Sequence, residues 1–358
     1  MNKNNKIVTI LMTFVIIIAI IWIVIGMFLF ANSDKKESND NELNNNTKEE
    51  NNDSSNSNVD LTEKEYTGSK QNITIATIGN EYYEKSALTS MLTKLYGKYV
   101  TTDQIVSAPE VTKNSIKYNA SFIEYETQTK HYSHYDLPKK VDYIKALMSG
   151  SIKLDGAIFV VDAMNITTDV LRDNLKLLEQ IGVSKIVVYI NRADMISDKE
   201  LLDINENIIR DSLFNYGFDR DNTPIIMGSS NALDGNKNGE TSIHELMTSV
   251  DKWIDKKTSN EISSNHTEFK AGTYFLLEEE SGKQASYTNN SKLQFLISSS
   301  TQNGTISLSK NIEKVVPGTS MDITVTLSKA TSFKIGDNFQ IYDEGKLVGI
   351  GVIESIVK

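Results

Sequence analysis

Residues 7–31, IVTILMTFVIIIAIIWIVIGMFLFA, carry no charge, and the chain beyond them turns abruptly to Asn, Asp, Ser, Glu and Lys as far as about residue 70. The apolar run is long enough to cross a bilayer as a helix. It is too long for the core of a signal peptide, and Leu29-Phe30-Ala31 makes a poor cleavage site, so a retained anchor is expected. The polar stretch cannot repay the entropy of ordering and reads as a disordered linker. As a flexible coil it would hold the next domain within roughly 35 Å of the membrane. In that domain, apolar strand-like runs alternate with amphipathic helical ones: NITIATIG, SALTSMLTKLYGKYV, GAIFVVDA, VLRDNLKLLEQIGV, KIVVYINRAD, KELLDINENIIRDSLFNYGF, TPIIMGSS and IHELMTSVDKWIDK. This order implies a mostly parallel sheet with helices on both faces. SKIVVYI is β-branched at consecutive positions, as in a strand buried on both sides. Leu201, Ile204 and Ile208 repeat at helical spacing and are expected to face the core. After a polar break near Lys257 the period shortens to two, as in Leu293/Phe295/Ile297 and Ile323/Val325/Leu327, with a turn at Asp343-Glu344-Gly345-Lys346. That pattern predicts a small antiparallel barrel or sandwich.

Composition narrows the chemistry. The net charge of -10, with no basic stripe, argues against sequence-independent nucleic-acid binding. There are no cysteines, which removes disulfides, thiolate metal sites and cysteine nucleophiles. His131 and His134 would face opposite sides of a strand, so no shared metal is expected there. Lysines flank the apolar run almost equally, Lys3 and Lys6 before it and Lys35 and Lys36 after it. The short amino-terminal tail and the lack of cysteine turn the expectation towards an extracytoplasmic folded part.

Between a strand-like and a helix-like run lies TIGNEYYEKSALT, residues 77–89. Its Gly79, Lys85 and Ser86 have the spacing of a phosphate loop, G-x-x-x-x-G-K-[ST], whose backbone N–H groups cradle phosphates while the lysine reaches the outer ones. The second glycine is Glu84, a carboxylate where phosphate oxygens should lie.

DGAIFVVDA, EQIGVSKIVVYINRADMI, TPIIMGSS and EYETQTKHYSHYDLPKKVDYIKALMSGSIKLDGAI resemble, in order and spacing, the GTP-binding domain of bacterial elongation factor Tu. NGTISLSKNIEKVVPGTSMDITVTL and GDNFQIYDEGKLVGIGVI resemble that family's last β-barrel. The resemblance implies a P-loop GTPase-like α/β domain at 71–257, a connector at 258–265 and the C-terminal-type barrel at 266–358, behind the anchor (1–31) and linker (32–70). The family's middle barrel is missing, which argues against tRNA as a partner. The resemblance implies a guanine nucleotide, GTP or GDP, with magnesium. Its contacts would be Gly79, Lys85 and Ser86 in the phosphate loop and Asp136 in DLPK. Asn191 and Asp194 of NRAD and Ser229 of GSSNALDG would complete the set.

Several family positions are changed. Glu84 and Ala87 alter the phosphate loop, and Lys117 aligns with the switch threonine that would hold magnesium. Lys139 replaces the glycine that senses the γ-phosphate, and Lys140 the histidine that orients the attacking water. Arg192 replaces the lysine of the base-reading motif; its aliphatic stem can still cover a base. The changes are charge-complementary, so Glu84 and Asp136 are expected to meet some of Lys85, Lys117 and Lys139 in an internal ion-pair cluster. Two functions fit. One is a membrane-tethered pseudo-GTPase presenting an elongation-factor-Tu-like surface to a protein or small ligand. The other is an atypical, metal-free GTPase acting as a regulatory switch.

Overall fold

The structure, a computed structural model, describes residues 61–79, 85–230, 237–257, 262–281, 283, 286–310 and 312–358. The apolar run at 7–31 lies outside them, as do most of the linker and Glu84; among the described residues no helix is long and apolar enough to cross a membrane.

Eight strands open the described fold: β1 (Gln71–Ile78), β2 (Glu110–Lys113), β3 (Ile116–Asn119), β4 (Ser121–Glu126), β5 (Lys130–Asp136), β6 (Gly156–Asp162), β7 (Ile186–Asn191) and β8 (Ile225–Met227). Six of them form one sheet in the order β4-β5-β1-β6-β7-β8. All pairs are parallel except β4 with β5. β2 and β3 form a separate hairpin. Every residue of β6 and β7 is buried, because helices cover both faces and leave no solvent side for alternation. The helices are α1 (Lys85–Tyr96), α2 (Thr102–Val106), α3 (Lys140–Met148), α4 (Thr168–Gln180), α5 (Lys199–Asn215) and α6 (Lys237–Trp253).

Two sequence expectations are corrected. Leu201 and Ile204 are exposed at the surface of α5, which instead buries Asn205, Ile209, Ser212 and Leu213. A polar residue sits on that inner face for a reason: Asn205 Nδ2 donates to the carbonyl of Ala163 just past β6, at 3.0 Å. The second correction concerns residues 61–70, which their polarity assigned to the linker. They run against the outer strands, with Leu61 buried and its carbonyl accepting from the N–H of Phe122 at 2.8 Å. Tyr66 stacks on His131 at 3.6 Å between ring centroids, and Lys70 pairs with Glu126 at 2.7 Å. The contacts cover the edge strand β4, whose unpaired backbone groups would otherwise be open to another chain.

Beyond α6, β9 (Ser264–Phe275), β10 (Lys292–Ile297), β11 (Ser300–Leu308), β12 (Ser320–Phe333), β13 (Asn338–Asp343) and β14 (Lys346–Ile356) close an antiparallel barrel in the order β10-β11-β12-β9-β14-β13. The alternation read from the sequence is the barrel's inner face: Leu293, Phe295, Ile297, Ile323, Val325 and Leu327 are all buried. Glu344 and Gly345 both take positive φ, 50° and 79°, closing the β13–β14 hairpin.

The barrel packs directly on the α3–α4 side of the α/β domain, and Tyr274, Leu276, Ile350 and Val352 join the same apolar core as Ala146 and Leu147. Polar contacts fix the register. Lys176 reaches both oxygens of Asp322, at 2.8 and 2.7 Å, and Asn338 Nδ2 donates to the carbonyls of Leu147 and Met148 at the end of α3. Lys145 and Glu280 form a largely buried ion pair across the same contact.

Candidate functional site

The sheet order reverses at β1, since the chain runs from it to β5 on one side and β6 on the other. The crevice beyond the carboxyl ends of such strands is where open α/β sheets place ligands. Gly79 follows β1 there, and a Cβ on it would stand 2.4 Å from the carbonyl oxygen of Val160, so no larger residue fits that close approach to β6. Lys85 and Ser86, the first residues of α1, are both buried. Register pairs Thr77 of β1 with Asp136, the last residue of β5, which brings the carboxylate beneath the start of α1. Ser86 Oγ donates to Asp136 Oδ1 at 3.0 Å, and Thr89 Oγ1 donates to Oδ2 at 2.7 Å. Burial raises the Asp136 pKa; the nearby Lys85 charge, then Thr89 and Ser86, oppose that rise. Lys85 Nζ also donates to the carbonyl of Pro138 at 3.4 Å.

A second cluster lies at the ends of β6, β7 and β8. Asn191 Oδ1 accepts from the N–H groups of Arg192 (3.0 Å) and Ser230 (2.8 Å), while its Nδ2 donates to Ser230 Oγ at 2.9 Å. Both functions of the amide thus tie β7 to the loop after β8. Arg192 is left-handed, φ 60°, and its guanidinium turns back to grip the buried Asp162: Nε to Oδ1 at 3.0 Å, and Nη2 to Oδ2. Asp194 is exposed, in a 3-10 turn, Ala193–Met195.

Residues 70–256 match the family model described as "Elongation factor Tu GTP binding domain", and residues 262–357 match "Elongation factor Tu C-terminal domain". The chain belongs to the elongation factor Tu family. Of the residues that the resemblance assigns to the phosphates, Lys85, Ser86 and Asp136 come together, with Gly79 at the end of β1 against Val160; of those it assigns to the base, Asn191 ends β7, Asp194 lies in the turn after it, and Ser229 lies in the loop after β8. Asn191 engages Ser230, the residue next to Ser229. Thr89, one helical turn after Lys85, escaped notice, although i and i+4 share a helix face. Asp162, the partner of Arg192, escaped as well.

The expected ion-pair cluster is only partly assembled. Lys85 stands by Asp136, but Lys117 is well exposed on β3 and pairs with Glu110 across the hairpin at 3.0 Å. Lys139 is exposed ahead of α3, and Lys140 pairs with Asp173 of α4 at 2.8 Å. Local partners on neighbouring elements hold Lys117 and Lys140 away from Asp136. Magnesium, which the family implies, takes hard oxygen ligands in octahedral array. Of the oxygen donors that the resemblance implies, the hydroxyl of Ser86 and the carboxylate of Asp136 are present and hydrogen-bonded to each other, while Lys117 stands where the switch threonine would be and supplies no oxygen.

The Arg192–Asp162 pair yields an asymmetric expectation. Asp162 is buried, whereas Arg192 is about a third exposed. Arg192→Ala strands a buried carboxylate and should cost about 2–3 kcal/mol, while Asp162→Ala lets the guanidinium turn to water and should cost less. Urea denaturation of the two variants measures the difference, and equal losses would contradict this account.

Proposed function

We propose that this chain is a membrane-tethered pseudo-GTPase of the elongation factor Tu family that works as an interaction module, offering the family's surface to a protein or small-ligand partner. The observation that carries the reading is the state of the two hydrolytic positions. Lys140, where the family orients water with a histidine, is drawn into an ion pair with Asp173, and Lys117, where the family holds magnesium, is paired with Glu110. General-base or water-positioning chemistry needs a group within hydrogen-bond reach of the attacking water, and a lysine engaged elsewhere does not supply one. Tethering rests on the uncharged run at residues 7–31, and an extracytoplasmic position, where GTP is scarce, would account for the altered phosphate loop. Direct packing of the barrel on the α/β domain supports a fixed surface, and with no middle barrel this is not a tRNA carrier.

Calorimetric titration of GDP with and without magnesium tests the reading. The expected result is a dissociation constant that magnesium alters by less than about threefold, well under 1 kcal/mol. Tight binding that collapses when magnesium is chelated would instead mark a working GTPase switch.

A further inference from the structure

Behind Asp136 the buried polar groups form a single file. Tyr125 on β4 holds its hydroxyl 2.9 Å from Nδ1 of His134, whose Nε2 lies 2.6 Å from Oγ1 of Thr77. Thr77 Oγ1 is 3.3 Å from Thr89 Oγ1, and Thr89 Oγ1 is 2.7 Å from Asp136 Oδ2. All five residues are buried, and strand alternation explains how they meet. Register sets Ile75 beside His134 and Thr77 beside Asp136, so the side chains share the sheet face on which α1 brings Thr89.

The proton of each link is fixed by its neighbour. A threonine hydroxyl has one proton to give. Thr89 could give its proton to Asp136 at 2.7 Å or to the carbonyl of Lys85 at 3.1 Å; the carboxylate is nearer, and a bond to a charged acceptor is the stronger. Thr89 can then only accept from Thr77. Thr77 has one proton for two neighbours, Nε2 of His134 at 2.6 Å and Oγ1 of Thr89 at 3.3 Å; giving it to Thr89, with Nε2 as donor to Thr77, makes every link of the file a hydrogen bond, whereas giving it to His134 leaves the two threonine oxygens facing each other with no proton between them. A neutral imidazole carries one N–H, so Nδ1 accepts and Tyr125 donates. Neutrality is secured by full burial, which pushes the His134 pKa down to about 3.

We infer that His134, as its Nε2–H tautomer, is a positioning residue that orients the relay Tyr125→His134→Thr77→Thr89 so that the chain of donors ends on the Asp136 carboxylate and fixes it in place. Donors aligned head to tail polarise one another in a low-dielectric interior, which strengthens the last bond to the carboxylate. The inference concerns the protein's own groups and does not require a bound nucleotide.

Long-range 1H–15N correlation spectra of the full-length protein labelled at histidine distinguish the two tautomers. There are only four histidines, and His134→Gln identifies the signal. The expected result at pH 7 is the Nε2–H pattern, retained in Thr77→Ser, with the hydrogen-bonded proton moving upfield in Thr77→Val. The 13C shift of the Asp136 carboxyl should follow the same order, unchanged in Thr77→Ser and displaced in Thr77→Val. An Nδ1–H tautomer in the parent protein overturns the proposal, because Thr77 would then donate to His134 and not to Thr89. So does a Thr77→Val spectrum identical to the parent. Should Thr77→Val fail to fold, the parent and Thr77→Ser spectra still decide the tautomer.

Discussion

Glu84→Gly is expected to tighten GDP binding by up to about a thousandfold. Glu84 occupies the loop position where the phosphate-loop pattern has glycine. A carboxylate about 4 Å from a phosphate charge costs on the order of 4 kcal/mol at an effective dielectric near 20, which corresponds to that factor in affinity. Titration calorimetry on the parent and the variant measures the change. A gain below about tenfold would mean that the loop excludes nucleotide by shape, and that charge is a minor part of the loss.

The second large effect is on acid stability. His134 is held neutral in the folded protein, with its pKa pushed down to about 3 by burial, whereas the unfolded chain takes up the proton near the ordinary value of 6.5. Between those values the unfolded state binds one more proton than the folded state, so stability falls as pH is lowered through 6.5 and the loss levels off near 3. The slope is about 1.4 kcal/mol per pH unit, reaching roughly 3–5 kcal/mol in full. Asp136 works in the opposite direction, since its raised pKa favours protonation within the fold as pH falls. The clean quantity is therefore the difference between the parent and His134→Gln, in which the remaining groups cancel. From pH 7 to pH 5 that difference should move by about 2 kcal/mol against the parent in urea unfolding. Parallel slopes for the two proteins would contradict the assignment of a buried neutral histidine.

How much of the fold and site was legible in the sequence depends on the range of the forces involved. β6 and β7 were legible because unbroken β-branched runs arise where both faces are covered, and the barrel because its alternation has a period of two. In α5 Leu201 and Ile204 mimic a buried stripe with Ile208, yet of the three only Ile208 packs against the core, and the inward face carries Asn205 and Ser212 beside Ile209 and Leu213. Hydrophobic period alone could not show that a carbonyl just past β6 needed an amide donor at that place. The residues expected to contact base and phosphate were chosen by spacing within single segments, as for Asn191 and Asp194 or Lys85 and Ser86, and each pair stays together in the fold because its members are near neighbours in the chain. The partners of the lysines were not legible, because Glu110 and Asp173 are brought to Lys117 and Lys140 by the hairpin and by helix packing. Nor was the relay behind Asp136 visible. Thr77, Tyr125 and His134 look like ordinary strand residues until the β4-β5-β1 register sets them side by side.

The central claim, that this family member has lost hydrolysis, is tested most directly by phosphate release from GTP, with the full-length protein in excess and magnesium present. The account predicts release no faster than in buffer alone. Protein-dependent turnover that disappears in Lys85→Ala would contradict it and return the chain to the working GTPases.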